Sequence, residues 1–214
     1  MTRFLLVRHA AALADGDLRL PGPDVALTAA GKTQARQIAN RLLDFAPGRV
    51  CTSDARRARQ TGEFIAAKCH APLQVIPALR EIDLGAWAGR TFADIVAADP
   101  TANDWFTDPT KDAPPGGEHI ADAADRVHGL LQALAHSEEE TLAIVGHAGS
   151  LRLAVAQALG MPLRSYWRLQ LDCASLSVVT WTEDGPLLEL WNDASHLQPE
   201  SDFPTHSNTD CAWD

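Results

Sequence analysis

Two histidines stand at the same place in a repeated pattern. Phe4-Leu5-Leu6-Val7 is an apolar run broken at once by Arg8-His9, and Thr141-Leu142-Ala143-Ile144-Val145 is another, followed by Gly146-His147-Ala148-Gly149-Ser150. Short apolar runs ending in polar or small residues read as strands covered on both faces. The carboxyl ends of such strands are where open α/β sheets bind ligands. Each histidine is therefore expected at the mouth of a buried sheet. The plainer alternative, for Arg8-His9 taken alone, is a surface loop.

Two further stretches carry charge in unusual places. Ser53-Asp54-Ala55-Arg56-Arg57-Ala58-Arg59-Gln60-Thr61 opens a helix with three arginines. Cations there oppose the helix dipole at about a few tenths of a kcal/mol each. Either they form a solvated face, or they seat an anion, since helix amides and guanidinium forks both bind phosphate. In Leu79-Arg80-Glu81-Ile82-Asp83-Leu84-Gly85 acidic residues alternate with apolar ones, so one carboxylate is expected to point inward. By itself Glu81 reads as a structural ion-pair partner.

The elements that must position these residues follow from periodicity and punctuation. After the first strand, 10–26 holds Asp15-Gly16-Asp17 and Pro21-Gly22-Pro23-Asp24 and reads as a loop shaping a site. Thr28 caps a helix over Ala29 to Leu43, where Ala35, Ile38, Ala39, Leu42 and Leu43 recur at helical spacing, and Pro47-Gly48 ends it. Arg49 to Thr52 is a second strand, Ser53-Asp54 supply caps for a helix reaching about Lys68, and Leu73 to Ile76 is a third strand. A short helix over 91–98 precedes a loop or lid over 99–117, whose cation is Lys111. Glu118 to His136 and Leu151 to Leu159 read as helices. Ser175 to Thr182 and Pro186 to Trp191 read as a hairpin joined by Glu183-Asp184-Gly185. The expectation is one α/β domain over 1–195 and a polar tail over 196–214 that is poorly ordered or loosely packed.

Composition narrows the partners. With 214 residues, 46% apolar and 21% charged, the chain suits a soluble globular domain. A formal charge of −10 argues against nucleic acid or an anionic membrane as partner, since both need a basic face. An anionic ligand would have to be drawn in by clustered arginines against the overall field. Cys51, Cys69, Cys173 and Cys211 form no C-x-x-C pair, so neither zinc nor a disulfide framework is expected. No apolar segment after Met1 is long enough for a signal or a membrane span, and a cytoplasmic location is expected.

Leu6-Val7-Arg8-His9, Ser53 to Thr61, Leu79 to Gly89, Pro115-Gly116-Gly117-Glu118 and Val145-Gly146-His147-Ala148-Gly149 resemble, in order and spacing, the successive motifs of the histidine phosphatase superfamily, which includes cofactor-dependent phosphoglycerate mutase. The resemblance implies a three-layer α/β/α sandwich with a mostly parallel central sheet. It places the family's nucleophile on His9, its phosphate-binding cations on Arg8 and Arg57, its second histidine on His147 and its proton donor on Glu81. Arg57 is chosen over Arg56 because the family's arginine lies four residues after the serine. The implied chemistry is in-line attack by an imidazole on phosphorus, giving a phosphohistidine. Arg8, Arg57 and a protonated His147 would hold the phosphoryl charge with no metal or other cofactor. Glu81 must hold a proton when the ester arrives and act as base when water cleaves the intermediate.

The chain departs from the family at Ala10-Ala11-Ala12, where many relatives carry Gly-Glu-Thr, and at Ala88, where many carry glutamate. These changes are expected to alter the rim of the site. Few cations in 99–117, amid Asp99, Asp104, Asp108 and Asp112, favour water over a second phosphorylated species as acceptor, hence a phosphatase acting on a small phosphate ester. The stretch from Tyr166 to Ser177 is similar to α-ribazole phosphatases. Trp87, Trp105 and Trp167 either fill the core or form an aromatic rim for a heterocyclic leaving group. Mutase-type transfer, a protein-phosphohistidine phosphatase and a silent binding protein are the alternatives.

Overall fold

The computed structural model describes residues 1–12, 20, 22 and 24–197. Most of the expected 10–26 loop and of the expected tail therefore lies outside the described residues. The strands are β1 (Thr2–Arg8), β2 (Arg49–Thr52), β3 (Leu73–Val75), β4 (Thr141–Gly146), β5 (Leu176–Thr182) and β6 (Gly185–Asp193). They form one sheet in the order β3-β2-β4-β1-β5-β6. β2 pairs in parallel with β3 and β4, and β4 with β1. The antiparallel pairs are β1 with β5 and β5 with β6. The helices are α1 (Ala29–Leu42), α2 (Arg56–Cys69), α3 (Phe92–Ala98), α4 (Ala102–Thr107), α5 (Ile120–Leu134) and α6 (Ala148–Ala158).

Side chains alternate across a strand, so a strand covered on both faces divides its apolar residues between two cores. On one face Leu5 and Val7 of β1 and Ala143 and Val145 of β4 pack with Ala35, Ile38 and Leu42 of α1 and Ala58 and Ile65 of α2. On the other, Phe4, Leu6, Leu142 and Ile144 pack with Val127 and Leu131 of α5 and Leu151, Ala154 and Val155 of α6. This is the expected α/β/α sandwich. Fully burying one such side chain contributes about 1.5–3 kcal/mol, enough to hold a sheet whose parallel pairings close long loops. A third cluster joins Ile95, Ala102 and Trp105 of α3 and α4 to Ile120 and Ala123 of α5, Leu153 and Ala156 of α6, and Trp87 and Tyr166. It roofs the carboxyl edge of the sheet beside α6.

Local signals account for some helix ends and fail at others. Thr28 caps α1 as expected, its hydroxyl accepting from the Gly31 amide at 3.0 Å. Ser53 and Asp54 do not cap α2, whose N-cap is Ala55 with no side-chain bond. Their side chains are taken by tertiary partners, His147 and Arg80. The 99–117 segment is not a plain loop, because it contains α4, held by burial of Ala102 and Trp105.

Candidate active site

The strand order places the chemistry. β2, β4 and β1 are neighbours and parallel, with Thr52 opposite Val145 and Arg8 opposite Gly146. One residue further along, His9 donates its backbone N–H to Gly146 O at 2.9 Å, and Ser53 donates its own to Val145 O at 3.0 Å. His9, His147 and Ser53 thus emerge side by side from three adjacent strand ends. The two imidazole centroids lie 5.0 Å apart with planes at 63°, and both rings are fully buried. The backbone at His9 is pinned from both sides. Ala174 N–H reaches Arg8 O at 3.1 Å and His9 O at 3.2 Å, while Ala10 N–H donates to Thr61 Oγ1 at 3.1 Å.

The two nitrogens of the His9 ring have different partners. Its Nδ1 lies 2.9 Å from Ala10 O, which can only accept, so Nδ1 carries the proton. Nε2 then has a lone pair, which accepts from Arg57 Nε at 3.0 Å. Burial and the charges of Arg57, His147 and Arg8 push His9 well below 6.5, outweighing the Ala10 carbonyl. The ring is therefore a neutral base aimed at a cation. Arg57 is 2% exposed whereas Arg56 is on the surface, so of the adjacent arginines it is Arg57 that the helix turns inward. Arg8 is wholly buried and donates from Nη1 to Leu171 O at 2.6 Å.

His147 faces His9 with a different hydrogen-bond logic. Its Nε2 is 3.0 Å from Ser53 Oγ, and that oxygen already accepts from Ala55 N–H at 3.2 Å. The hydroxyl keeps a second lone pair, so it can give its hydrogen to Nε2 or take one from it; Nδ1 is a buried atom with no partner in the protein. Burial, Arg57 and Arg8 push His147 well below 6.5. In the protein by itself, burial first and then the surrounding guanidinium charge disfavour the protonated His147 that the resemblance implied. A neutral ring N–H can still donate to a phosphoryl oxygen.

Glu81, not Asp83, is the inward carboxylate. Its Oε2 accepts from Gly149 N–H at 3.0 Å, and its Oε1 from Ser150 N–H at 2.8 Å and Ile82 N–H at 2.9 Å. The first turn of α6 thus anchors the acid next to His147, the N-cap of that helix. A Cβ at position 149 would stand 2.6 Å from Glu81 Oε1, so only glycine permits this approach. Behind it, Arg126 clamps Glu118 through Nε and Nη2 at 2.8 and 2.7 Å and donates from Nη1 to the carbonyls of Ala78 and Arg80. Asp83 is exposed and accepts from Gly85 N–H at 2.9 Å.

Arg57, Glu81 and His147 line a cavity of about 430 Å³ together with Trp105, Phe106 and Trp167, while His9 and Arg8, both wholly buried, lie behind its walls, His9 touching the lining residue Arg57. That volume suits a small metabolite. Trp87 is not part of the rim: it stacks on Phe106 at 5.5 Å and meets Trp105 edge-on at 5.3 Å, as core. Ala88 does line the cavity. Ala10 and Ala12 are buried, Ala10 within the α1/α2 core, so the alanines after His9 serve packing rather than the rim. Lys111 pairs with Asp108 at 3.7 Å and does not reach this cavity. Among the described residues no three His, Cys, Asp or Glu side chains are grouped to hold a metal ion.

Sequence reasoning brought Arg8, His9, Arg57, Glu81 and His147 forward but gave Ser53, Thr61 and Arg126 no supporting task. The spacing held a clue, because Ser53, Arg57 and Thr61 recur every four residues. For Arg126 there was none.

The sequence profile described as the histidine phosphatase superfamily (branch 1) matches residues 4–194. The chain belongs to that superfamily. It is 32% identical over 206 residues to a protein of Erwinia tasmaniensis named a probable phosphoglycerate mutase, covering 92% of this chain and 96% of the relative. Mycobacterial glucosyl-3-phosphoglycerate phosphatase, solved in complex with VO3, superposes with a TM-score of 0.82 at 30% identity, covering 91% of this chain and all of the other. The α-ribazole phosphatase of Shigella flexneri has the same TM-score at 28% identity, covering 90% and 96%. Mutases and phosphatases thus both stand among the chain's relatives. Among the described residues no helix is long and apolar enough to cross a membrane.

Proposed function

We propose that this histidine phosphatase superfamily member is a phosphomonoesterase that hydrolyses a small phosphorylated metabolite through a phosphohistidine on His9. The observation that carries this reading is the 3.0 Å contact between Arg57 Nε and His9 Nε2. It marks a deprotonated, nucleophilic nitrogen with a phosphate-binding cation beside it. A phosphoryl group entering the cavity competes for the guanidinium and frees the lone pair. Nε2 then forms a bond to phosphorus as the ester P–O bond breaks, and Glu81 gives its proton to the departing oxygen. Arg8, Arg57 and a ring N–H of His147 hold the charge spread over the equatorial oxygens. In the second half, water attacks phosphorus, Glu81 takes its proton, and the P–N bond breaks to release phosphate and neutral His9.

Water is the acceptor because the wall-forming segment 99–117 brings no cation into the cavity, its Lys111 being engaged with Asp108. The aromatic walls and the likeness to an α-ribazole phosphatase support α-ribazole 5′-phosphate as one substrate to assay. Phosphoglycerate mutase-type transfer is the second reading, favoured by the name of the Erwinia tasmaniensis relative. Incubation with p-nitrophenyl phosphate in EDTA tests the hydrolase: turnover that survives chelation, with an acid-labile phosphoryl-enzyme trapped on His9 and lost in His9→Ala, is the expected result. Conversion of 3-phosphoglycerate to 2-phosphoglycerate faster than phosphate release would favour the mutase.

A further inference from the structure

Of the three arginines that line the cavity, one is neither used in these steps nor paired with a carboxylate. This is Arg152 on α6, which is 8% exposed and whose Nε has no hydrogen-bond partner. No ion pair reaches its guanidinium among the described residues. A guanidinium held out of water without a counter-charge is costly unless a partner arrives. Burial and the neighbouring Arg8 weaken its hold on the proton, with Glu81 and Tyr166 acting in the opposite sense. Tyr166, 3% exposed, lines the same cavity.

The position of Arg152 identifies the part of the ligand it meets. It follows directly on the turn of α6 whose Gly149 and Ser150 amides grip Glu81. Glu81 protonates the departing oxygen, so a group beside it on that helix faces the alcohol portion of the ester rather than phosphorus. The other cations of this cavity are committed: Arg57 to the nucleophile, and Arg80, through Nε at 2.8 Å, to Asp54. One planar guanidinium fork suits two oxygens of a single negative charge, the geometry of a carboxylate. A second phosphate would bring two charges to a wall with one uncommitted cation.

We propose that Arg152, assisted by Tyr166, is the seat for a carboxylate on the alcohol portion of the substrate, so that the preferred ester is that of a small hydroxy acid. This deepens the phosphomonoesterase reading and rests on it for which side of the cavity is the leaving-group side.

The test uses two phosphonates that cannot turn over, 4-phosphonobutanoate and propylphosphonate, which differ by one carboxylate. Calorimetry on the intact protein should show the first binding at least about tenfold tighter, the value of one charge-assisted pair. Arg152→Gln should bring the two to within about twofold by weakening the carboxylate ligand alone, Arg152→Lys should keep part of the preference, and Tyr166→Phe should reduce it less. Turnover of p-nitrophenyl phosphate, which has no carboxylate, should change less than about threefold in Arg152→Gln. Equal binding of both phosphonates by the natural protein overturns the proposal, as does an Arg152→Gln protein that loses both equally. If Arg152→Gln does not fold, the natural protein's preference and the Lys and Phe variants decide. Selective phosphonate binding without p-nitrophenyl phosphate hydrolysis would overturn the hydrolase and leave the seat; hydrolysis without selectivity would do the reverse.

Discussion

Ser53 Oγ and His147 Nε2 lie 3.0 Å apart, and the same oxygen accepts from Ala55 N–H, so one hydroxyl ties the His147 ring to the residue that caps α2. Ser53→Ala removes the ring's partner at Nε2 and with it the restraint on the ring's orientation. Losing such a bond at a buried group costs about 1–3 kcal/mol, so kcat should fall about ten- to hundredfold with KM little changed. Nitrogen NMR should show the His147 ring resonances shifted in Ser53→Ala, and an unchanged spectrum and rate would refute the role given to the hydroxyl.

Arg57 and Arg56 are adjacent, and only the first is buried against His9. Arg57→Ala should cost about two to three orders of magnitude in kcat/KM, the scale for removing a donor to developing charge. Arg56→Ala should stay within about threefold, since an exposed charge contributes little. Steady-state kinetics on p-nitrophenyl phosphate would check both, and a reversed ranking would shift the phosphate seat by one residue.

Glu81 is placed by the amides of Gly149 and Ser150. On the proposed mechanism, Glu81→Gln takes away the general acid and should slow alkyl phosphates by about two to four orders of magnitude. It should slow p-nitrophenyl phosphate far less, because that leaving group departs unprotonated. Gly149→Ala puts a methyl 2.6 Å from Oε1. It should reproduce the alkyl-selective defect while keeping the carboxylate in the sequence, and equal losses on both substrates would contradict the acid role.

Both site histidines are pushed well below 6.5 by burial and by arginine charge. Below pH 6.5 the unfolded chain takes up protons on these residues that the native site refuses, so stability falls as pH drops from about 6.5 toward the native values. Above that window neither state binds the proton and the contribution is constant. Two such groups give a slope of up to about 2.8 kcal/mol per pH unit. His9→Gln should flatten denaturant-derived stability against pH over pH 5–6.5, and an unaltered slope would show that His9 is protonated in the native site. Activity at mild acidity should persist if His9 is the nucleophile as proposed, because its ring is held unprotonated.

Much of this architecture could be read from the chain alone. β1 and β4 declare themselves by uninterrupted apolar runs, and α1 by its period and by Thr28. What escaped is what distant residues decide. α6 begins at Ala148 rather than Leu151 because Gly149 and Ser150 give their amides to Glu81, a partner 68 and 69 residues away. α4 is too short to show a period and is held by burial of Trp105. Ser53 looked like a helix cap because serine before a helix commonly is one, and only the approach of β4 reveals its engagement with His147. The neutral state of His147 needed the mutual placement of Arg8, Arg57 and both rings, which spacing along a chain does not contain.

The order β2-β4-β1 has a consequence for the protein during its synthesis. The imidazole at position 9 leaves the ribosome long before the one at 147, and the strand that joins them is the last of the three to be made. His9 and His147 can meet only once β4 is inserted between β2 and β1, so the candidate site is assembled by the placement of a single central strand.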